Sequence, residues 1–411
     1  MSTHLCEDHS ARAVWSVIAE PTDAAARLLW LAYGPVAALD LARGAEAALA
    51  AALGEARWHE AASELQVSSA EASRARRSPT EVARDALARW GPRLGRDAET
   101  IVERSAERGI RLLTPGEPEW PAGLDDLRAN APIALWARGR GLAAPHLGTG
   151  VSVAVVGARA STPYGNEIAF EIGAGLAARG ATVVSGGAFG IDAAAHRGAL
   201  GSGATVAVLA GGLDRLYPRG NADLLTRVAE HGVLYSEAPL GATPARWRFL
   251  ARNRLIAAMS GATVVVEAAW RSGALSTATH ADHLSRPVGA VPGSVLSAAS
   301  GGCHRLIRER GALLITGTDD ILDMLSTQEV LGSTSGAGAS GSAAALWDDA
   351  ELLSPADRLV FDGIPPRSAI TQRALALECA VSEEEVRAAL ARIEVLGLAK
   401  LNGERVTRAA R

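Results

Sequence analysis

Lysine is almost absent from this chain of 411 residues, because 40 of its 41 basic residues are arginines and Lys400 is the single lysine. A P-loop ATPase needs a lysine in the pattern G-x-x-x-x-G-K-S/T, and a pyridoxal-phosphate enzyme needs one for its Schiff base. The sequence therefore excludes both classes for the body of the protein. Recognition of phosphate there must come from arginines, hydroxyl groups and backbone amides.

Cysteine is scarce as well, and its distribution argues against two kinds of site. The three cysteines are far apart and form no C-x-x-C pair, so the sequence predicts neither a disulfide framework nor a four-thiolate zinc site. His280, His283, Cys303 and His304 lack the ordinary spacing of a zinc finger. We therefore predict no metal site.

Long apolar runs are also missing. The longest, Leu28–Leu39, contains Gly34-Pro35 and is too short to cross a bilayer. The first 21 residues lack the apolar core of a secretory signal. These features predict a cytoplasmic protein with no membrane partner.

The formal net charge is −4, but the basic residues are unevenly distributed. Between Arg246 and Arg310, nine arginines stand against three acidic residues, which gives this segment a net charge of +6 and leaves −10 for the remainder. Trp247 and Phe249 lie among the arginines. Guanidinium groups that bind phosphates and rings that stack on bases are typical of a surface for single-stranded nucleic acid.

Composition divides the chain into four regions. Residues 1–100 are rich in Ala, Leu, Arg and Glu at helical spacing, which predicts a small helical domain of the SAM-like type. In 101–325 a connector is followed, from about residue 151, by alternating apolar runs and Ala-rich stretches. Residues 326–345 form a Gly/Ser linker. The tail, 346–411, predicts three helices and then a β-hairpin, the order of a winged helix.

The pattern predicts helices in both terminal regions. Those of the first region are Asp23–Leu31, Ala45–Trp58 and Thr80–Trp90, separated at Gly34-Pro35, Ser78-Pro79 and Gly91-Pro92. Those of the tail are Ser354–Asp362, Thr371–Glu378 and Ser382–Leu396, with the hairpin turn around Asn402-Gly403. The last helix is acidic, so we expect the tail to bind protein, or duplex DNA only weakly.

Six short, β-branched runs in the third quarter of the chain are predicted strands. They are Val151–Val156, Ala181–Ser185, Ala204–Leu209, Gly232–Ser236, Ala262–Val266 and Pro287–Val291. Near-continuous apolar strands that alternate with helices indicate a parallel sheet covered on both faces. The predicted fold class is therefore α/β, with a Rossmann-like, doubly wound and mainly parallel sheet.

Three of these strands end in glycine-rich loops. The loops are Gly157-Ala158-Arg159, Ser185–Gly190 and Gly211–Asp214. Glycines at the carboxyl ends of parallel strands let the backbone approach a ligand, and exposed amides there favour phosphate. A dinucleotide fold would place an acidic residue at the end of the second strand, where this chain has Ser185-Gly186, so we predict no cofactor.

Two further segments carry polar groups next to predicted strands. Arg252-Asn253-Arg254 is predicted to open a helix over Leu255–Ser260, and Arg271–Thr277 follows the strand that ends at Glu267. A different interpretation makes Asp192 and Glu267 a carboxylate pair in a nucleotide-processing hydrolase. No convincing nucleophile and base accompany them, so we predict no catalytic residue and no enzyme.

In several motifs, taken in order, the sequence resembles the DNA-processing protein A (DprA, also called Smf) family. The matching stretches include Val155–Arg159, Ser185–His196, Gly211–Pro218, Phe249–Ala257 and Ser272–Ala278. The resemblance implies a Rossmann-like protein that binds single-stranded DNA without a catalytic step. It also implies a homodimer that hands the DNA to the RecA recombinase in natural transformation.

The resemblance and the basic segment together define the predicted DNA site. Its residues are Gly157, Arg159, Ser185, Gly186, Gly187, Gly190, Arg246, Arg248, Phe249, Arg252, Asn253, Arg254, Ser272, Gly273 and Thr277. The family usually has a proline and often a basic residue where this chain has Leu250 and Ala251. We expect this difference to weaken one phosphate contact, for which Arg246 or Arg248 can substitute.

Overall fold

A computed structural model describes most of the chain. The described residues are 2–21, 23–53, 79–95, 97–139, 147, 152–334, 360–361, 364, 370–379, 381–395, 399–403 and 405–408. Internal contacts divide the chain into two compact units, residues 1–336 and 337–411. The four-part division predicted from composition, with boundaries near 100, 325 and 345, stays a prediction.

In the part of the first unit before residue 107 that the structure describes, there are five helices. They are α1 (Ser2–Ile18), α2 (Ala24–Arg43), α3 (Glu46–Leu53), α4 (Pro79–Leu94) and α5 (Ala98–Ala106). The part of the predicted helix Ala45–Trp58 beyond Leu53 lies outside the described residues. Gly91-Pro92, predicted to end a helix, lies inside α4. Since Pro92 is near the end of α4, its missing N–H removes one hydrogen bond from the last turn without breaking the helix.

A cluster of three tryptophans forms the core of these helices. Trp15 makes edge-on contacts with Trp30 and Trp90, with ring centroids 5.5 and 5.2 Å apart. Asp23 caps α2 by accepting hydrogen bonds from the amides of the first turn. The same buried carboxylate accepts from Arg89 Nε at 2.9 Å and from Trp90 Nε1 at 3.0 Å, which joins α4 to the start of α2.

Helix α2 is long and apolar enough, by length and composition, to be a candidate membrane span. Gly34, at φ 77° and ψ 165°, and the following Pro35 break it into two shorter segments. Leu28, Leu29 and Leu39 are buried within the protein. Since each half is only about 10 residues, against the ~20 that a bilayer requires, α2 has the features of a kinked core helix.

The rest of the first unit is built around a sheet of nine strands. The strands are β1 (Ile110–Leu113), β2 (Leu135–Gly139), β3 (Ser152–Val156), β4 (Thr182–Ser185), β5 (Thr205–Leu209), β6 (Val233–Ser236), β7 (Ala262–Val265), β8 (Val288–Ala290) and β9 (Leu313–Leu314). Their spatial order is β1-β2-β6-β5-β4-β3-β7-β8-β9. From β6 to β9 all neighbours are parallel, and β1 and β2 extend the sheet as antiparallel strands.

The predicted mainly parallel sheet is confirmed, and all six predicted strands are present. Sequence patterning missed the two-residue edge strand β9, and it missed β1 and β2, which lie in the stretch assigned to a connector. A short edge pair of this kind gives no run of alternating strands and helices, so its pairing shows only in three dimensions. The chain moves from β3 towards β6 and then returns to β7 on the other side of β3, so the strand order reverses between β3 and β7.

Helices cover the sheet on both faces. They are α6 (Pro163–Ala178), α7 (Ile191–Ala199), α8 (Ala222–His231), α9 (Arg246–Ala258), α10 (Ala274–His283), α11 (Gly301–Arg310) and α12 (Thr318–Thr334), with 3₁₀ helices at Ala122–Asn130 and Arg219–Asn221. One core contains residues of α9, α10 and α11, and the other contains residues of α6, α7 and α12. The first nine residues of the predicted linker, 326–334, belong to α12, and the rest lie outside the described residues.

The described residues of the second unit form two helices and a small sheet. The helices are α13 (Gln372–Cys379) and α14 (Glu383–Val395), and the strands are β10 (Ile370–Thr371), β11 (Ala399–Asn402) and β12 (Arg405–Arg408). The hairpin turn has Gly403 at φ 66°, a left-handed conformation that favours glycine. Most of the predicted helix Ser354–Asp362 lies outside the described residues, and the winged-helix assignment stays a prediction.

A buried histidine joins α7 to the sheet. His196 Nδ1 lies 2.7 Å from the hydroxyl of Thr205, which itself donates to the carbonyl of Val183 at 2.9 Å. Because the hydroxyl proton is used in that bond, His196 must donate from Nδ1, and its buried Nε2 has no partner within the described structure. Burial lowers the pKa of His196 to about 3.

We expect this histidine to make the protein less stable in mild acid. It stays neutral in the folded state, whereas the unfolded chain binds a proton near its ordinary pKa of about 6.5, so stability falls as the pH drops below about 6.5. At pH 5 the loss attributable to His196 is about 2 kcal/mol. Urea unfolding at pH 7.5 and pH 5 would show a smaller pH effect in His196→Gln than in the wild type, and equal effects would contradict the assignment.

Candidate nucleic-acid interface

A cleft of about 750 Å³ lies at the carboxyl ends of β3 and β7, where the strand order reverses. In open α/β sheets this reversal point is where ligands bind, because the loops from the two sides diverge there. Its lining includes Gly157, Arg159, Asp192, Tyr217, Arg246, Phe249, Arg252, Asn253, Arg271, Ser272, Gly273 and Thr277. Nine of these twelve belong to the predicted site, and Asp192, Tyr217 and Arg271 do not.

Three exposed arginines line the cleft from three different segments. Arg159 follows β3, Arg246 is the first residue of α9, and Arg271 follows β7. Within the part of the chain that the structure describes, none of the three has a hydrogen bond or salt bridge. Asp192 is the only carboxylate among the lining residues, and it is buried. The open face of the cleft is therefore positively charged, as an interface for phosphate groups requires.

Aromatic rings accompany this charge. The guanidinium of Arg159 lies 4.5 Å from the centroid of the Phe249 ring, and the rings of Phe249 and Tyr217 are 5.9 Å apart. Phe249 is half-buried and Tyr217 is exposed. Rings next to an unpaired guanidinium allow a base to stack while its phosphate is bound close by.

Asn253 positions the loop on the opposite wall of the cleft. Its Nδ2 donates to the carbonyl of Gly273 at 3.2 Å and to the hydroxyl of Ser276 at 2.9 Å. This fixes the start of α10, whose first amides lie next to Ser272 and Gly273. Asn253 therefore holds this loop in place, and its predicted contact with DNA stays a prediction.

The glycine loop after β4 is held by a buried carboxylate. Asp192 accepts hydrogen bonds from Gly186 N at 3.1 Å and Ala188 N at 3.3 Å. Arg252 donates to the carbonyl oxygens of Gly186 and Val208. Burial raises the pKa of Asp192, while Arg252 and the two amides oppose that rise. The sequence predicted that amides of this loop bind phosphate. In the structure, the amides of Gly186 and Ala188 donate instead to the protein's own carboxylate.

Other members of the predicted site support the loops without facing the cleft. The buried hydroxyl of Ser185 donates to the carbonyl of Val155 at 2.7 Å. A Cβ on Gly186 would overlap the Arg252 guanidinium, and Gly187 and Gly190 have φ of 66° and 75°. Since glycine adopts positive φ without strain, these residues let the loop fold tightly against the β3 loop. They shape the cleft, and arginines supply its charge.

Arg252 and Arg254 differ most from the sequence prediction. They do not open a helix but lie in the middle of α9, which begins at Arg246. Arg254 donates to both oxygens of Glu237 at 2.6 Å and to the carbonyl of Asn130 at 3.0 Å. Both arginines are buried. Their guanidinium groups hold the core together. The prediction that the pair opens a helix is wrong, and its predicted contact with DNA stays a prediction.

Arg248 is likewise engaged within the protein. It donates to the two carboxylate oxygens of Glu20 at 3.1 and 2.9 Å and to the carbonyl of Thr243 at 2.7 Å. Glu20 also accepts from Arg93 of α4 at 2.8 Å. Arg248 therefore fastens α9 to the N-terminal helices, and its predicted contact with DNA stays a prediction.

The two carboxylates of the hydrolase interpretation are both engaged by neighbouring groups. Glu267 accepts from the amide and hydroxyl of Thr162 at 2.9 and 2.6 Å, and Asp192 is held by the two loop amides. Neither is placed as a free base beside a nucleophile, which a hydrolytic site requires.

The cysteine and histidines considered for a zinc site serve other contacts. Cys303 donates from its thiol to the carbonyl of Val265 at 3.5 Å, and burial raises its pKa to about 12. His304 Nε2 lies 3.1 Å from the carbonyl of Gly293. Across the described residues, no group of three or more His, Cys, Asp or Glu side chains is arranged to hold a metal ion.

Sequence reasoning left Arg271 and Tyr217 out of the site. Both lie in stretches it had singled out, the loop after β7 and the segment Gly211–Pro218, but nothing local marks them as facing the same cleft. Arg271 is adjacent to Ser272 of the predicted site, and an arginine next to a strand-end hydroxyl was the signal available for it.

Comparisons with known proteins identify relatives of this chain. Residues 111–326 match the family described as DNA recombination-mediator protein A. A DprA homologue of Mycobacterium tuberculosis is 46% identical over 314 residues, which cover 73% of this chain and 77% of the relative. Protein Smf of Synechocystis is 37% identical over 232 residues, which cover 56% and 58%. The crystal structure of DprA from Streptococcus pneumoniae aligns with TM-score 0.50 at 33% identity, covering 59% of this chain and 81% of that one.

Proposed function

The chain belongs to the DNA recombination-mediator protein A family, and from that membership we propose that it binds single-stranded DNA along the carboxyl edge of its sheet. The observation that carries the proposal is the cleft between β3 and β7, which three unpaired arginines and two aromatic residues line. Arg159, Arg246 and Arg271 bind phosphates, and bases stack on the rings of Phe249 and Tyr217.

The same groups favour a single strand over a duplex. A ring can stack on a base only when the face of that base is free, and in a duplex the neighbouring base pairs cover it. The cleft lies at the sheet edge and is lined by strand-end loops together with residues of α9 and α10. A cleft of this kind receives a strand into a concavity, whereas duplex-binding motifs place a protruding helix in the major groove. Binding here is expected to depend on charge and stacking, with little dependence on base sequence.

The proposal also covers what happens to the bound strand. We propose that the protein protects incoming DNA and loads the RecA recombinase onto it in natural transformation, and that it acts as a cytoplasmic homodimer without a chemical step of its own. The family description, which names recombination mediation, supports the first point. The engagement of Asp192 and Glu267 by neighbouring groups supports the absence of a chemical step. The RecA partner is tested by measuring RecA ATPase activity on a single strand coated with single-strand-binding protein. The homodimer is tested by sedimentation of the protein.

Binding of a fluorescent deoxythymidine oligonucleotide by the full-length protein, beside a duplex of equal length, tests the core of the proposal. We expect the single strand to bind at least about 10-fold more tightly, because a duplex offers no free base to the rings. Contacts from three arginines predict that log K falls with log salt with a slope of about −2. Tighter binding of the duplex, or binding that salt does not weaken, would contradict the proposal. Release of base, sugar or phosphate from added nucleotides would favour the hydrolase.

A further inference from the structure

A second pairing of an aromatic ring with an arginine lies beside the cleft, on the loop that follows β7. Trp270 is 53% exposed, and the guanidinium of Arg305 lies 5.1 Å from the centroid of its ring. Trp270 directly precedes Arg271 and Ser272, both of which line the cleft. The ring also lies next to the first turn of α11, since a Cβ on Gly301 would be 3.9 Å from it.

The N–H groups of Arg305 are not used in bonds within the described part of the protein. Among the residues that the structure describes, Arg305 makes no hydrogen bond and no salt bridge, and its guanidinium contacts the indole of Trp270. A guanidinium that stacks on a ring uses its face for that contact and leaves its N–H groups, which lie in its plane, for a phosphate. Trp270 and Arg305 thus offer the same two recognition elements as Phe249 and Arg159.

The pair lies along the same edge of the sheet as the cleft. The cleft opens between β3 and β7, and the next strand along the sheet is β8. The loop after β8 carries Val295 and Leu296, which are 86% and 94% exposed. Because these strands are parallel, their following loops share one edge of the sheet. That edge continues from the cleft past Trp270 to an exposed apolar loop.

We propose that Trp270 and Arg305 form a second nucleotide subsite, next to the cleft on its β8 side. The exposed part of the indole stacks on an unpaired base, and Arg305 binds a neighbouring phosphate. The inference rests on the proposed function, which it deepens: it extends the bound length of DNA beyond the cleft and gives the strand a path from β3 towards β8.

The test compares oligonucleotides that fill the cleft alone with ones that reach beyond it. Full-length protein is titrated with deoxythymidine oligomers of about 6 and about 20 nucleotides. Trp270→Ala is expected to weaken binding of the longer oligomer by about 5- to 100-fold and to leave the shorter one within about twofold. Trp270→Phe, which keeps a stacking ring, is expected to retain most of the affinity. An oligomer with 5-iododeoxyuridine is expected to cross-link to Trp270 in the wild type.

Trp247 provides a matched control. It is also exposed, at 40%, and also has an arginine next to its ring, Arg248 at 4.9 Å, but it does not line the cleft and Arg248 is engaged by Glu20. Trp247→Ala should bind both oligomers like the wild type.

Three results would overturn the subsite. Unchanged binding of the longer oligomer by Trp270→Ala would do so, and so would an equal loss for both lengths, since Trp270 would then act on the cleft itself. The third is a cross-link that maps elsewhere while Trp270 stays unmodified. In each case the wild type still binds single strands and the proposed function stands. A wild type that binds neither oligomer overturns the function and the subsite together.

Discussion

Reversing the charge of Arg159 and Arg271 together is expected to weaken binding of single-stranded DNA by about 100-fold or more. Each exposed guanidinium makes charge-assisted hydrogen bonds to phosphate that contribute about 1.5–3 kcal/mol. Removing both guanidinium groups therefore costs about 3–6 kcal/mol of binding free energy, and glutamates would add repulsion. Both side chains are exposed and, among the described residues, make no hydrogen bond or salt bridge, and Arg159 only contacts the Phe249 ring. The fold should therefore stay intact.

Fluorescence anisotropy with a deoxythymidine oligonucleotide, repeated over a range of salt concentrations, measures this effect. Besides the loss of affinity, the slope of log K against log salt should become shallower by about 1.4, the change expected when two phosphates of a single strand are no longer neutralised. If only the overall charge of the protein mattered, affinity would fall, but the slope would not change by the amount expected for two lost phosphate contacts.

Arg197 is the control for position. It is exposed near the end of α7, a helix that begins at the carboxyl edge of the sheet and runs back towards the opposite edge. Arg197→Glu makes the same change of charge at a residue outside the lining of the cleft and should leave affinity within about twofold. If it weakened binding as much as the pair at the cleft does, or if Arg159→Glu with Arg271→Glu still bound normally, the assigned interface would be wrong.

Replacing Arg254 by methionine is expected to cost about 3–5 kcal/mol of folding stability. The substitution leaves the largely buried carboxylate of Glu237 without its two hydrogen bonds, and it removes the donor to the carbonyl of Asn130. An uncompensated buried charge is among the most destabilising defects that a single substitution can introduce. Urea unfolding followed by circular dichroism measures the loss.

A second substitution separates this electrostatic cause from lost packing. When Glu237→Leu accompanies Arg254→Met, no charge remains unpaired, and much of the stability should return. Arg246→Met, on the exposed first residue of the same helix, should leave stability unchanged. If Arg254→Met remained fully stable but bound DNA poorly, Arg254 would face the DNA, as the sequence had predicted. Replacing Arg252 and Arg254 by glutamate would not by itself show that they contact DNA, because unfolding of the protein would also abolish binding.

Much of the scaffold follows from local patterns. The six predicted strands agree with β3 to β8 to within about one residue at each end, because short β-branched runs between glycine-rich turns can bury both faces only as strands of a parallel sheet. Gly157 and the loop Ser185–Gly190 also lie where predicted, since strand ends in such a sheet share one edge. Arg159, Arg246, Phe249, Ser272, Gly273 and Thr277 indeed line one cleft.

The sequence by itself thus determined the central parallel strands, the edge at which the cleft lies and the reliance on arginine in place of lysine. Only the tertiary structure decided which arginines are free to bind. Arg254 meets Glu237 and Asn130, and Arg252 meets Gly186 and Val208, at separations of 17 to 124 residues along the chain. A guanidinium has the same charge whether it is exposed or buried, and its partners are set by how helices pack on the sheet. Charge is a property of the sequence, but the availability of that charge is a property of the fold.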